Sequence, residues 1–573
     1  MSKTVWDLSL LFKNEEELSS SLETCSLNAC KFEQKYKNTL KKISPNEFNE
    51  CIKEYENISQ NLAHIATYAY LKFAQNSDEG AFLAKIINAS KEIEKHILFF
   101  EIEFNRLNKK TQNIFIKNAP KYDFYLRSLT EEKPHQLTLG IERVLLKKEQ
   151  VGVSAWGRLF DEHFSNMKFT FEGKKLSEEE ILSFLHSADR NKRRSAAAAF
   201  TKELKKHQHL LGFIFNMIKS DLKTECEIRK YKIPEEPRHK DNKISQKSVD
   251  ALIRTVEENF GIVGEYYEKK REILGLDTLY DYDRYAPLDK EETLFSYEEA
   301  CEIVLKTFKD FSPIFYETAK KAFNNGWIDV YPKSKKSAGA FSHSATANTH
   351  PYILLNYTNQ RRDLFTLAHE MGHAIHQYLS YEVGYLSSDT PLTTAETASV
   401  FSEMLLFDEI KKTCGIKAKR AMLSAKIDDI FATLYRQINF TTFERAVHAD
   451  KNELSLKEFN KIWLRESAKM FAHSVKFTPN YKIWWSYIPH FIHSPFYCYA
   501  YAYAQLLVMA LFGLYKSGTM RDFRQKYIEF LTLGGSKSPK EMVGIFGFDI
   551  EDDKFWQIGI NEVKKLVDEF KEL

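Results

Sequence analysis

The segment Phe365-Thr-Leu-Ala-His-Glu-Met-Gly-His-Ala-Ile-His-Gln-Tyr378 is the one around which the chain is organised. It contains the pattern H-E-x-x-H. Residues four apart lie on one face of a helix, so His369 and His373 can present two imidazoles to one metal ion. Glu370 is rotated by about 100° from His369, where its carboxylate can act as general base on a water beside the metal. The apolar, proline-free flanks favour a helix. A buried helix with two incidental histidines is the simpler alternative, but the motif favours a zinc hydrolase.

A catalytic zinc ion needs a third protein ligand and an open position for water. His376 lies on the same helix face as His369, but a turn further along the axis, so three ligands from one helix would be strained. It is a candidate ligand, a support for a ligand, or a substrate contact. Glu382 lies about 220° round from His369 and is therefore on the wrong face.

A second predicted helix, residues 392–407, carries two glutamates seven residues apart. If it packs antiparallel to the first helix, its small residues allow close approach and Glu396 comes beside His373. The pattern Thr393-x-x-Glu396 also fits a capping box. We favour Glu396 as the third ligand. Glu403 is then expected to orient a ligand histidine through its other ring nitrogen.

Composition limits the class of protein. The chain has 573 residues, 43% of them hydrophobic, and a net charge of +3 from 82 basic and 79 acidic side chains. This balance gives no indication of nucleic-acid binding, and we expect the basic cluster Arg190–Arg194 to be a solvated helix face. The seven cysteines include no C-x-x-C pair, which favours reduced thiols in a cytoplasmic protein.

Two segments were compared with the patterns of a secretory signal and of a membrane-spanning helix. The N-terminus lacks the long apolar region of a secretory signal. The stretch Tyr497–Tyr515 has 19 residues with only Gln505 strongly polar, long enough to span a membrane. Its alternating tyrosines and small residues favour a buried helix that serves the site, so we expect no membrane partner.

The remaining pattern predicts a mainly α protein. Helical periodicity covers Glu15–Leu40, Pro45–Gln75 and Asp78–Leu107, with capping boxes at Ser44 and Ser177. The charged, two-proline stretch 230–242 is predicted to be a loop. We expect an N-terminal helical domain, residues 1–190, and a catalytic domain, residues 191–573.

Short strands are predicted near residues 328–357, directly before the histidine helix, and a further short strand near residues 168–173. The edge of the first sheet could bind an extended peptide over the metal, or the strands could be purely structural.

Several segments in order resemble the oligoendopeptidase F family of zinc metallopeptidases, which is related to the thimet oligopeptidases. They are Trp6–Phe12, Asp281–Leu288, Gly339–Ser342, Pro351–Asn356 and Phe365–His373. Glu396 falls where that family carries its glutamate ligand. The resemblance implies one Zn²⁺ per chain, a large helical body with a deep substrate channel, and hydrolysis of internal bonds in short unstructured oligopeptides. The loop 230–242 is more charged than the family pattern, so substrate preference can differ here.

The resemblance also gives a role to residues 488–503, where the family has a His-Phe pair before a tyrosine-rich helix. A neutral histidine or a tyrosine hydroxyl can donate to the oxyanion formed during peptide hydrolysis. We expect His490, Tyr497 and Tyr501 to act in this way, without deciding which tyrosine serves the oxyanion. His493 is a further candidate. Aromatic core packing is expected for at least two tyrosines of this helix, and Tyr499 and Tyr503 lie on its other face.

Two other functions stay open from the sequence. A metallocarboxypeptidase or dipeptidyl carboxypeptidase on a similar scaffold would need a cation for the substrate's C-terminal carboxylate. Arg361, Arg362 and the run Lys333–Lys336 could supply it. A non-catalytic peptide-binding protein is the second alternative. The sequence does not give the oligomeric state.

Overall fold

The computed structural model describes residues 3–288 and 294–573. Helices dominate these residues, as predicted. The α-helices are α1 Glu15–Tyr36, α2 Pro45–Gln75, α3 Gly80–Ile97, α4 Phe99–Arg106, α5 Lys109–Asn118, α6 Asp123–Glu131, α7 Leu139–Glu149, α8 Val153–Asn166, α9 Glu178–Ser183, α10 Arg190–Arg229, α11 Glu236–Asp241, α12 Gln246–Glu258, α13 Gly261–Ile273, α14 Tyr297–Phe311, α15 Pro313–Asn324, α16 Arg361–Ser380, α17 Tyr385–Ser388, α18 Leu392–Ala395, α19 Thr397–Thr413, α20 Ile416–Thr433, α21 Tyr435–Ala449, α22 Leu456–Met470, α23 His490–His493, α24 Cys498–Ser517, α25 Phe523–Thr532, α26 Pro539–Gly544 and α27 Asp553–Glu572.

Local sequence signals set many of these boundaries. Ser44 and Ser177 form the predicted capping boxes with Glu47 and Glu180 at the starts of α2 and α9. The helix predicted over residues 78–107 is divided at Leu98 into α3 and α4. Helical periodicity continues through this break, so the sequence pattern alone does not reveal it.

The strands are short and form two sheets. They are β1 Phe169–Phe171, β2 Lys174–Leu176, β3 Ile328–Asp329, β4 Phe341–His343 and β5 Tyr352–Leu354. β1 and β2 form an antiparallel hairpin. In the second sheet β5 is central, parallel to β3 and antiparallel to β4, with Ser342 opposite Ile353. The small sheet near residues 328–357 is therefore confirmed, and β4 lies beside α16 because Ser342 and Gln377 hydrogen-bond each other.

The apolar helix α24 is a core element. It is long and apolar enough to cross a membrane, but 89% of its most apolar window is buried inside the protein. Tyr499 and Tyr503 are fully buried in it. The Tyr499 hydroxyl hydrogen-bonds His239 and Asn242, and the Tyr503 hydroxyl hydrogen-bonds Ser248. The prediction that two tyrosines of this helix pack in the core is confirmed.

Two predictions from charge patterns are wrong. Arg193 of the basic cluster is 2% exposed, and together with Arg190 it forms ion pairs with the buried Asp283. The cluster is thus partly an internal clamp rather than a solvated face, since a buried carboxylate requires cationic partners. The stretch 230–242 is not all loop, because it contains helix α11 with Pro237 in its first turn.

The hydrophobic core has three parts. One is formed by residues between Trp6 and Leu126 together with Tyr352 and Leu354 of β5. A second joins α8–α10 to α21–α23, and the third surrounds α16, α19 and α24. The division at residue 190 stays a prediction.

Candidate active site

Helices α16 and α19 bring the two predicted ligand histidines to one glutamate. The Nε2 atoms of His369 and His373 lie 3.4 Å and 3.3 Å from the same oxygen, Oε2 of Glu396. Among the described residues, His369, His373 and Glu396 form the group of ligand-bearing side chains that could hold a metal ion. Ser399 donates a hydrogen bond of 2.7 Å to the same Oε2 and fixes the carboxylate.

The distance of each histidine nitrogen from the glutamate oxygen fits zinc. Two zinc–ligand bonds of about 2.0–2.1 Å at a tetrahedral angle place their donor atoms about 3.3 Å apart. Two imidazole nitrogens and one carboxylate oxygen also form a common ligand set for a catalytic zinc ion, with a fourth position open.

Close helix packing creates this arrangement. A Cβ on Gly372 would lie 2.5 Å from the Ala398 carbonyl oxygen and 2.7 Å from Ser399 Cα, so glycine permits the contact. The pairs His369–Glu403 and His373–Glu396 run in opposite chain directions, which makes the helices antiparallel as predicted.

The predicted single helix 392–407 is interrupted at Glu396, between α18 and α19. No side-chain capping bond is present at the start of α18, so the structure does not show the alternative role of Glu396 as a cap.

Glu403, itself bound to Lys426, holds His369 through Nδ1, the ring nitrogen that does not face Glu396. Glu403 Oε1 lies 2.6 Å from His369 Nδ1, and its Oε2 lies 2.7 Å from Lys426 Nζ. The predicted contact is confirmed, with the Glu403 carboxylate accepting a hydrogen bond from a candidate ligand histidine. Burial alone would raise the pKa of Glu403, but Lys426 and His369 lower it to about 2. Burial is the largest single effect on the pKa of His369 and lowers it, but the hydrogen bond to Glu403 and the negative charges of Glu403, Glu370 and Glu396 together raise it to about 9 in the metal-free protein.

Glu370 is 7% exposed and lies beside the metal-binding group. Burial raises the pKa of its carboxyl group, against the opposing effect of His369 and His373. A carboxylate whose pKa is shifted upward is a better proton acceptor at neutral pH.

Of the two remaining histidine candidates, His376 lines a cavity together with the metal-binding group, and His493 is held by α8. His376 is buried against α18, its Nε2 has no hydrogen-bond partner among the described residues, and burial lowers its pKa to about 3. It faces a cavity but is not part of the three-residue metal-binding group. His493 is bound to Asp161 of α8 at 2.8 Å, and its ring contacts Phe160.

His490, Tyr497 and Tyr501 form one aromatic cluster. His490 Nε2 lies 3.3 Å from the Tyr501 hydroxyl, and the two tyrosine rings meet edge to face with centroids 5.0 Å apart. Tyr497 and Tyr501 line a cavity of about 380 Å³ together with His369 and Glu396. Both tyrosines therefore line a cavity that reaches two of the three candidate metal ligands.

Three adjoining cavities share His369, where the resemblance predicted a deep channel. Besides the one lined by the tyrosines, a cavity of about 560 Å³ is lined by Phe365, Phe407 and Met422, with Arg362 and Lys426. The third, about 680 Å³, is lined by β4 and by Arg238, Asp241 and Asn242 of α11 and the residue after it. Sequence reasoning missed Lys426 and Arg238. The unusual charge of the stretch 230–242 was a signal for Arg238, whereas nothing in the sequence around Lys426 points to the metal-binding group.

Comparisons with known proteins agree with this geometry. The model for peptidase family M3 matches residues 183–562, and a model described as oligopeptidase F matches residues 103–169. An oligoendopeptidase F homolog from Borreliella burgdorferi is 30% identical over 593 residues, covering 99% of this chain and 98% of its own. Oligopeptidase PepF from Bacillus subtilis is 26% identical over 94% of this chain and 82% of its own.

Solved structures share the fold. A chain from Chlamydophila abortus has a TM-score of 0.91 with 22% identity, covering 99% of this chain and 98% of its own. Oligoendopeptidase-F from Enterococcus faecium has a TM-score of 0.70 with 20% identity, covering 97% and 99%.

The fold, the metal-binding group and these matches define a metallopeptidase of the oligopeptidase class. Nothing favours the exopeptidase or the non-catalytic binding protein. The chain belongs to peptidase family M3, within the group of oligoendopeptidase F.

Proposed function

We propose that this metalloendopeptidase uses one zinc ion, bound by His369, His373 and Glu396, to cleave short unstructured oligopeptides. The single observation that carries this proposal is the 3.3–3.4 Å spacing of the two histidine nitrogens from one glutamate oxygen. When bound, zinc supplies a Lewis acid that polarises the scissile carbonyl and acidifies water. We further propose that the protein is cytoplasmic and divides into the two predicted domains.

Glu370 acts as the general base in this proposal. Its buried carboxylate accepts a proton from the attacking water and delivers it to the leaving amine. Tyr497 and Tyr501 line the cavity and His490 contacts Tyr501, which supports a role for these three residues as hydrogen-bond donors to the carbonyl oxygen as it gains negative charge. Burial lowers the pKa of His490, and Arg436 lowers it further, so the imidazole stays neutral at pH 7 and retains one N–H donor.

Side-chain hydrogen bonds already occupy two backbone carbonyl groups along β4 and just after it, which limits the positions where a peptide could pair. The carbonyl of Ser342 accepts from Gln377, and the Tyr381 hydroxyl donates to the carbonyl of Ser344. Residues two apart on a strand face the same edge, so Ala340 is the next position whose backbone could pair with substrate. Ala340 lines both larger cavities beside Glu370, which supports this contact.

Replacing Glu370 by glutamine tests the proposal. The glutamine side chain keeps the volume but cannot accept the proton, so peptide cleavage should fall by several orders of magnitude while bound zinc is retained. The substrates are a ladder of unstructured peptides, read by mass spectrometry with and without chelator, and zinc is measured by elemental analysis. Glu382→Gln, which changes an exposed carboxylate just after α16, is the matched control and should keep wild-type activity. A near wild-type rate for Glu370→Gln contradicts the assignment. Removal of only one or two C-terminal residues contradicts the endopeptidase.

A further inference from the structure

Arg436, at the start of α21, is a cation with no carboxylate partner among the described residues. Its two terminal nitrogens each donate to a tyrosine hydroxyl, Tyr285 and Tyr487, at 3.0 Å. The guanidinium also lies over the Phe440 ring, 5.0 Å from its centroid. Two of its five N–H groups are used in these bonds, so three remain for a further acceptor.

The charged groups around Arg436 balance one another, so among the described residues the positive charge of Arg436 itself is left without an anion. Arg284 is 4% exposed, donates to the Asp281 carbonyl oxygen and otherwise lies among aromatic rings. The nearby Lys270 is already paired with Asp428 at 2.7 Å. The carboxylate of Asp281 accepts two hydrogen bonds from Thr478, and it is close enough to Arg284 for that guanidinium to lower its pKa, so Asp281 balances the charge of Arg284. Buried cations are normally paired with anions, so this site has the electrostatics of an anion-binding site that the protein itself does not fill.

The site lies next to residues that line the catalytic cavity. Arg436 is close enough to His490 to lower the pKa of that imidazole. His490 contacts Tyr501, which lines the same cavity as His369 and Glu396. On its other side Tyr285 stacks on the exposed His186, with ring centroids 4.9 Å apart, so the site opens to solvent. These contacts lead from the metal-binding group past Tyr501 and His490 to Arg436.

We propose that Arg436, held by Tyr285 and Tyr487, binds a carboxylate of the peptide substrate at the end of the cleft beyond His490. The planar guanidinium fork can bind both oxygens of a carboxylate at once. The carboxylate is either the C-terminal one or that of an aspartate or glutamate side chain. The inference rests on the proposed function, since it concerns the same substrate in the same cleft.

The test compares matched peptides in the zinc-loaded enzyme. One set has the same sequence with a free or an amidated C-terminus, and the other set has glutamate or glutamine at successive positions on both sides of the cleaved bond. The wild-type enzyme should prefer the carboxylate-bearing member of at least one pair by about ten- to hundredfold in kcat/KM, the usual effect of a charge-assisted hydrogen bond. Preference for the free acid identifies the C-terminus, and preference for one glutamate position identifies a side chain.

Arg436→Gln should abolish this preference, and Arg436→Lys should retain part of it because the charge remains without the fork. An indirect effect through His490 would change both members of a pair equally, so the ratio isolates the carboxylate contact. Tyr487→Phe removes one of the two hydroxyls that hold Arg436, so it should also reduce the ratio of kcat/KM within a pair. This variant replaces Arg436→Gln in the test if Arg436→Gln does not fold. Arg465→Gln, which removes an exposed arginine of α22, is the control and should keep the wild-type ratio.

Equal kcat/KM for all pairs in the wild-type enzyme would overturn the inference, as would an undiminished preference in Arg436→Gln. Chelator-sensitive internal cleavage of the amidated, glutamine-containing peptide establishes the proposed function separately, because that peptide has no carboxylate for Arg436 at those positions.

Discussion

Replacing Glu403 by glutamine removes a negative charge between two donors while keeping the side-chain volume. Glu403 accepts from His369 Nδ1 at 2.6 Å and from Lys426 Nζ at 2.7 Å. An amide has only one oxygen, so its NH₂ group must face either His369 or Lys426, and that contact is lost. Loss of such a partner of a metal-binding histidine typically weakens metal affinity by 10- to 100-fold. This corresponds to about 1.4–2.7 kcal/mol.

Competition with a chromogenic chelator measures this effect directly. The dissociation constant of zinc should rise by about 10- to 100-fold in Glu403→Gln. Glu409→Gln is the matched control on the same helix, since its partners Lys306 and Lys412 are exposed lysines, and it should bind zinc as the wild type does. A dissociation constant within twofold of wild type for Glu403→Gln would refute the assignment of His369 as a ligand oriented by Glu403.

Two further predictions follow from packing and burial. Gly372→Ala should weaken zinc binding and lower the free energy of unfolding by about 1–3 kcal/mol, because its Cβ would overlap the backbone of α19; unchanged denaturant unfolding and zinc content would contradict the packing argument. His350 is 5% exposed and stacked on Trp327, and burial lowers its pKa to about 4. Unfolded chains bind its proton below about pH 6.5 while the native state does not, so His350 should cost about 2 kcal/mol of stability between pH 7 and pH 5. In His350→Gln the loss of stability over this range should be smaller by that amount, and an equal loss in both proteins would show that His350 is not buried in its neutral form.

Local sequence patterns were sufficient to predict much of the fold and, within the site, the residues of the H-E-x-x-H motif. The H-E-x-x-H spacing fixes two imidazoles on one face of α16, because the helical repeat is a local property of the chain. The starts of α2 and α9 were also predictable, because a capping box involves only residues that are near neighbours in the sequence. The small sheet before α16 was also predictable, since turn residues and alternating side chains mark short strands.

The other features of the fold and the site could not be predicted, because they depend on contacts between residues far apart in the chain. The interruption at Glu396 was not predictable, because residues 392–407 contain no proline or glycine that would indicate a break in the helix. Arg193 was expected in solvent, yet it is buried against Asp283, 90 residues away in the chain. A charge run shows only which charges are neighbours in sequence, whereas the partner of each is decided by the packing of distant helices.

The sequence by itself determined that α16 is a helix with two histidines and a glutamate arranged for metal-dependent hydrolysis. Only the tertiary structure decided that the nitrogens of His369 and His373 meet the oxygen of Glu396 at 3.3–3.4 Å, and that Glu403 joins His369 to Lys426. The physical reason is that spacing along one helix is set by backbone hydrogen bonds between near neighbours. The approach of α16 to α19 is set by the contact of Gly372 with Ala398 and Ser399, which involves residues far apart in the chain.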